Sequence, residues 1–393
     1  MRQRRLPAGG ANVFQLVRAK RAEAQGRGME LLDLSIGEPR GAALLSAREA
    51  ARDAVMSDAE AMHAYQYNLS PGVPGFAERF VAGHLDRNLA DQDVAYLPIP
   101  GIKPVLGVPP LACGGALAPL TVGTMTKPGY PIPTDWCGFL HHVTNVPLPT
   151  SSANAFRFTP ADIAPGTGLL MINYPHNPSG QIATRDWLAT LCQHCAENDI
   201  RLFNDAAYTA LAHTDENATL SEVAVDFSEL SWAEAFTAAK LIGNGTGWHV
   251  GAMVGSPDFI ADMAEIKGKI DSGHVAPMAA GALAALEEDQ AGIASGRETY
   301  RRRLDTLVTL MRDAGMRLAI EPSAGFYALW EVPTRAFGKP MDRAETFNFA
   351  MIEETGVVGV HFPGYVRYAV CADIDAIADK LRAAFTKAAP SYA

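Results

Sequence analysis

From about residue 70 to residue 270, short apolar runs alternate with stretches of helical period. "LLMI", Leu169 to Ile172, predicts a buried strand. "NYPHNPSGQ", Asn173 to Gln181, then breaks it with two prolines, two asparagines and a glycine. "TRDWLATLCQHCAEN" predicts a helix with Thr184 as its cap and Trp187, Leu188, Leu191, Cys192 and Cys195 on one face. "IRLFN" and "HVGAMVG" predict further strands. Strands alternating with helices indicate βαβ units around a mostly parallel sheet. The last hundred residues or so read differently. "AGFYALWEV" and "GYVRYAV" predict strands, and "DIDAIADKLRAAF" places Ile374, Ile377, Leu381 and Phe385 on one helical face. Near the start, "NVFQLVRAKRAEAQ" predicts a helix and "ELLDLSIGEP" a strand ending in a turn. The expected class is α/β: a three-layer sandwich over residues 43–280, and a smaller α+β domain from residues 1–42 and 281–393. There is no internal repeat and no low-complexity linker.

A length of 393 residues suits two or three domains. The net charge of -10 argues against nucleic acid or an anionic membrane as a partner. "MRQRR" is followed by "LPAGGAN" rather than an apolar core, so no secretory signal is expected. The longest uncharged run, Pro104 to Thr126, holds four prolines and four glycines and does not suit a membrane helix. Five scattered cysteines point to reduced thiols in a cytoplasmic protein. Cys192 and Cys195 form a CxxC with no second ligand pair nearby. They are expected to pack in the core, and no metal site is expected.

The candidate chemistry lies at strand ends. "IRLFNDAAYTAL" puts Asp205 just past a buried strand, with Tyr208 three residues on. A carboxylate there needs a cationic partner, from the protein or from a ligand. "AEAFTAAKLIGNGTGWHVGAMVG" runs from a strand through Thr237 and Lys240 into a glycine-rich loop ending at His249. Thr237, the loop backbone and His249 are candidates to address an anion. Gly101, Ile102 and Lys103, in "LPIPGIKPVLGV", form a second candidate phosphate cradle. Taken singly, each has an ordinary structural reading: a salt bridge, a surface lysine, a plain turn.

Their order resembles the class I/II aminotransferases, the pyridoxal phosphate (PLP) enzymes of the aspartate aminotransferase fold. "LDLSIGEP", "YQYNLSPGVPGFAERF", "KPGYPIPTDW", "NPSG", "DAAY" and "GYVRYAV" match the family's motifs in sequence. "YPIPTDW" and "KIDSGHVAPMAAGALAALEED" look most like the branch containing LL-diaminopimelate aminotransferases. The resemblance implies that Lys240 forms the Schiff base with PLP and that Asp205 pairs with the ring nitrogen. It implies that Tyr208 and Asn177 bond the phenolic oxygen and that Tyr130 stacks on the ring. Gly101, Ile102, Lys103, Thr237 and His249 would surround the phosphate, with Tyr67 arriving from a second subunit of a homodimer with shared sites. Arg367, Gly37 and Asn177 would hold the substrate. The expected reaction moves an amino group from an α-amino acid to a 2-oxo acid by a ping-pong route. A β-lyase, decarboxylase or oxidase-like PLP enzyme of the same fold, or a non-catalytic ligand-binding protein, is the alternative.

The chain departs from the family pattern in three places. Ala239 stands where a second serine is usual. His249 follows a loop one residue longer and replaces an arginine. The stretch before Arg367 is short. His141, His142 and Glu38 are equally candidates for the far end of the substrate pocket and for plain surface residues.

Overall fold

A computed structural model describes residues 12–392 of the chain. It divides into two compact units, and each is treated by itself.

The larger unit is Glu38–Arg301 with Pro322–Gly325. Among the described residues, seven strands form its sheet. They are β1 (Ala95–Ile99), β2 (Leu120–Thr124), β3 (Val143–Pro147), β4 (Thr167–Ile172), β5 (Arg201–Asp205), β6 (Trp232–Thr237) and β7 (Gly251–Gly255). The spatial order is β1-β7-β6-β5-β4-β2-β3. β7 runs antiparallel to both neighbours, while the other pairings are parallel. Side chains alternate across the sheet, as the pleat requires. Leu170, Ile172, Leu202 and Phe236 enter one core. Leu169, Met171, Phe203 and Ala235 enter another. Both faces are therefore covered, which explains why these strands read as unbroken apolar runs rather than alternating ones.

The predicted helix after the Asn173 turn is α3 (Arg185–Glu197); α1 and α2 precede it in the chain as Val13–Gly26 and Leu45–Val55. α3 buries Leu188, Leu191, Cys192 and Cys195. The two thiols are free and lie in the core, and burial pushes Cys195 up to about 12, so neither is poised for redox work. Thr184 occupies the N-cap position, but its side chain makes no capping hydrogen bond, contrary to expectation.

The division falls elsewhere than at 42/43 and 280/281. α4 (Ala276–Glu288) packs on α2 so closely that a Cβ on Gly281 would lie 2.4 Å from the Ala47 carbonyl oxygen. That contact keeps α4 in the larger unit, whose edges are Gly37/Glu38 and Arg301/Arg302. No composition shift marks those points.

The smaller unit is Met1–Gly37, Arg302–Glu321 and Phe326–Ala393. Its antiparallel sheet has the order β9-β10-β8, from β8 (Tyr327–Glu331), β9 (Val360–Phe362) and β10 (Tyr365–Ala369). α5 (Ile374–Ala388) buries Ile374, Leu381 and Phe385, while Ile377 is only partly covered. The strand expected near residue 32 shrinks to Leu32–Asp33, paired in parallel with Val357–Val358. Among the described residues, no helix is long and apolar enough to cross a membrane.

Candidate active site

In the larger unit, β1, β2, β4, β5 and β6 are mutually parallel and end at one edge of the sheet. β7 is reversed, so it begins at that edge. Its first residue, Gly251, pairs with both Thr237 and Ile99, the last residues of β6 and β1. The segments after Ile99, Ile172, Asp205 and Thr237, and the segment before Gly251, therefore converge. This carboxyl edge is where open α/β sheets hold ligands.

Asp205 closes β5. Its carboxylate is surrounded by protein, with a face left open to a small cavity it shares with Tyr130, Thr126 and Asn173. Burial pushes its pKa up to about 6, while the charge of Lys240 and the Ala207 N–H, 3.2 Å from Oδ1, pull it back down. Lys240 Nζ lies 5.5 Å from the centroid of the buried Tyr208 ring. Asp205, Tyr208 and Lys240 thus form one group.

Asn177 joins this group through a residue to which sequence reasoning assigned no role. The Asn173 side chain donates to the Asp205 carbonyl oxygen at 2.7 Å and accepts from the Asn177 N–H at 3.0 Å. Both Asn173 and Asn177 are buried. The turn between them and α3 needs its glycine. Gly180 has φ +69, and a Cβ there would meet the Ala324 carbonyl oxygen at 2.8 Å. The signal for Asn173 was its place four residues before Asn177, but an asparagine in a polar turn has many possible partners.

Gly101 and Thr237 meet at the other side of this edge. Gly101 has φ +80, and a Cβ built on it would lie 4.0 Å from Thr237 Oγ1. Ile102 and Lys103 open a short helix, so their N–H groups have no partner within it. Ile102 is buried and Lys103 is exposed. The Thr237 hydroxyl accepts the Ala239 N–H at 3.2 Å and lies 3.3 Å from the Val250 carbonyl oxygen. His249 precedes Val250, exposed and left-handed at φ 54. In the glycine loop before it, the Thr246 hydroxyl bonds Glu38 Oε1 at 2.9 Å and Asn244 Oδ1 at 2.7 Å. Glu38 therefore secures that loop.

Tyr67 is placed differently. Its side chain is 51% exposed, its N–H donates to the Ser272 carbonyl oxygen, and its ring pairs with Tyr65. His141 and His142 are exposed and immediately precede β3. A residue before a parallel strand sits at the amino edge, opposite Asp205 and Lys240. Of the two readings of these histidines, pocket lining or plain surface, the exposure and the edge favour the surface.

Gly37 and Arg367 belong to the smaller unit. Arg367 is 1% exposed on β10, donates to the Ser35 carbonyl oxygen at 2.8 Å and stacks 4.2 Å from the Tyr327 ring centroid. A Cβ on Gly37 would lie 2.0 Å from the Tyr327 hydroxyl oxygen, so only glycine fits. Tyr327, between the two, was missed because an aromatic residue in an apolar strand reads as core.

Residues 29–381 match the family described as aminotransferase class I and II. The LL-diaminopimelate aminotransferase of Syntrophobacter fumaroxidans is 28% identical over 92% of this chain and 92% of its own. That of Methanocaldococcus jannaschii is 29% identical over 91% of this chain and 85% of its own. Among solved structures, a double mutant of Thermus thermophilus aspartate aminotransferase superposes with a TM-score of 0.79 at 24% identity, covering 99% of both chains. Substrate-bound BacF of Bacillus subtilis gives a TM-score of 0.81 at 21% identity, covering 98% of this chain and 97% of that one.

Proposed function

Because the chain belongs to the class I and II aminotransferases, PLP-dependent enzymes that transfer amino groups, we propose that Lys240 takes up the cofactor aldehyde and then carries the substrate proton. The observation that supports this most is the grouping of Lys240, Asp205 and Tyr208 at the carboxyl edge of the sheet.

The residues fit the cofactor. Asp205 is a carboxylate held among protein atoms with too little counter-charge, and a pyridinium nitrogen would supply what it lacks. Gly101 leaves room beside the Thr237 hydroxyl, and the N–H groups of Ile102 and Lys103 suit a phosphate. When bound, the cofactor supplies an electron sink for negative charge at the substrate Cα.

The chain's own residues do the rest. Asp205 holds a proton on the ring nitrogen. Tyr208 and Asn177 bond the phenolic oxygen, and Tyr130 covers a ring face. Gly101, Ile102, Lys103, Thr237 and His249 hold the phosphate. In the smaller unit, Arg367 beside Gly37 is the substrate-binding group, its guanidinium suited to grip an α-carboxylate in a two-pronged pair. The Lys240 amine would remove the substrate Cα proton and hold it for delivery to the cofactor carbon bonded to the same nitrogen. The cycle passes an amino group from an α-amino acid to a 2-oxo acid in two halves.

The protein acts as a homodimer in which Tyr67 of one protomer reaches the phosphate bound by its partner. The exposure of Tyr65, Tyr67, Leu69, Ile270 and Val275 supports this reading. Free thiols at all five cysteines fit a cytoplasmic location. LL-diaminopimelate, named for several relatives, heads the panel of amino donors to try.

Lys240→Ala is the direct test. It should abolish transamination and the visible absorbance of lysine-bound cofactor. A persisting pH-sensitive band would assign that role to another lysine.

A further inference from the structure

Lys267 ends the helix Pro257–Lys267, and its side chain is 1% exposed. Its Nζ donates to Asn68 Oδ1 at 3.2 Å and to Asp271 Oδ1 at 2.8 Å. Neither partner is arbitrary. Asn68 directly follows Tyr67, and Asp271 directly precedes Ser272, whose carbonyl oxygen accepts the N–H groups of Gln66 and Tyr67 at 3.1 and 2.8 Å. One buried ammonium therefore ties together the two segments that meet beneath Tyr67.

The surrounding bonds serve the same contact. Asp271 Oδ1 also accepts the Gly273 N–H at 2.8 Å, and Asn68 Nδ2 donates to the Ala264 carbonyl oxygen at 3.1 Å. Gly273 has φ +103, and a Cβ there would lie 2.5 Å from the Tyr67 nitrogen. Tyr67 and Ser70 are both left-handed, with φ of 44° and 53°. Side chains other than glycine occupy that region only where the surroundings impose it.

A buried ion pair is a poor way to gain stability, because desolvating an ammonium offsets most of its attraction to a carboxylate. An apolar side chain of the same length would fill the space. What the ammonium adds is geometry: two bonds in fixed directions to two separate segments.

We propose that Lys267 is a positioning residue that acts through Asn68 and Asp271 to hold Tyr67 where it meets the cofactor phosphate of the neighbouring protomer. This rests on the reading of Tyr67 as a phosphate partner. Lys267 itself touches neither cofactor nor substrate.

Equilibrium dialysis of PLP against wild type, Tyr67→Phe, Lys267→Met and the double variant tests it. Tyr67→Phe and Lys267→Met should each weaken affinity about tenfold, the size of one lost hydrogen bond to a charged group. The double variant should be no weaker than either single one, because Lys267 acts only through Tyr67. Effects that multiply to about a hundredfold would overturn the proposal. So would a silent Lys267→Met beside a weakened Tyr67→Phe. A silent Tyr67→Phe sinks the reading of Tyr67 itself, and this proposal with it. If Lys267→Met does not fold, Asn68→Ala takes its place: it keeps the Lys267–Asp271 pair and removes the Asn68 bonds to Lys267 and to the Ala264 carbonyl oxygen. Asn68→Ala should reproduce the Tyr67→Phe loss, and unchanged affinity would overturn the proposal.

Discussion

At the scale of single residues, Asp205 shows function set against stability. Burial raises its pKa to about 6 in the cofactor-free protein, above the ordinary aspartate value near 3.8. Between those two values the folded chain binds more protons than the unfolded one. Stability therefore falls as pH rises through that window, and the loss is complete above about pH 6. Asp205→Asn removes this titration while keeping the shape. Without cofactor, Asp205→Asn should melt higher than wild type at pH 7 to 8, and the gap should shrink as pH falls through 6 toward 5. Thermal unfolding of both apo-proteins across that range checks it, and a constant gap would refute the assignment. With cofactor, the same variant should lose most turnover, since the ring nitrogen no longer keeps its proton. The nearness of Asp205, Tyr208 and Lys240 was legible because each closes or follows an apolar strand of one parallel sheet. Asn173 was not, since the bonds it makes join positions up to 32 residues apart.

At the scale of elements, the glycine loop before β7 is fixed by two side chains. Glu38 and Asn244 hold it through Thr246, and it returns to the sheet beside Thr237. His249 is delivered to the edge where Gly101 and Thr237 meet. An arginine offers a fixed fork of donors to a phosphate, whereas an imidazole offers fewer. His249→Ala should therefore weaken PLP affinity, and His249→Arg should hold PLP at least as tightly as wild type. Equilibrium dialysis measures both. A silent His249→Ala would remove His249 from the phosphate site. The strands and helices flanking the loop were readable from period alone. The loop's path was not, because glycines allow many paths and a bond from Glu38, 208 residues away, selects one.

For the whole molecule, the testable consequence is assembly. Tyr65, Tyr67 and Leu69 are 69%, 51% and 84% exposed on a loop pinned to Ser272, and Ile270 and Val275 flank that contact at 58% and 52%. So much apolar surface in one place is what a second protomer would cover. Sedimentation at micromolar concentration should find a dimer. A monomer that still transaminates would refute shared sites.

The sequence by itself determined the fold class and the order of strand-end motifs. Those follow from local periodicity and from turn chemistry. Only the tertiary structure decided the partners. It placed Asn68 on Lys267 across 199 residues, fitted Gly37 against Tyr327, kept α4 with α2, and set His141 and His142 at the amino edge of the sheet. Local pattern is set by neighbours along the chain. Which distant groups meet is set by packing, and packing has no signature within any one segment.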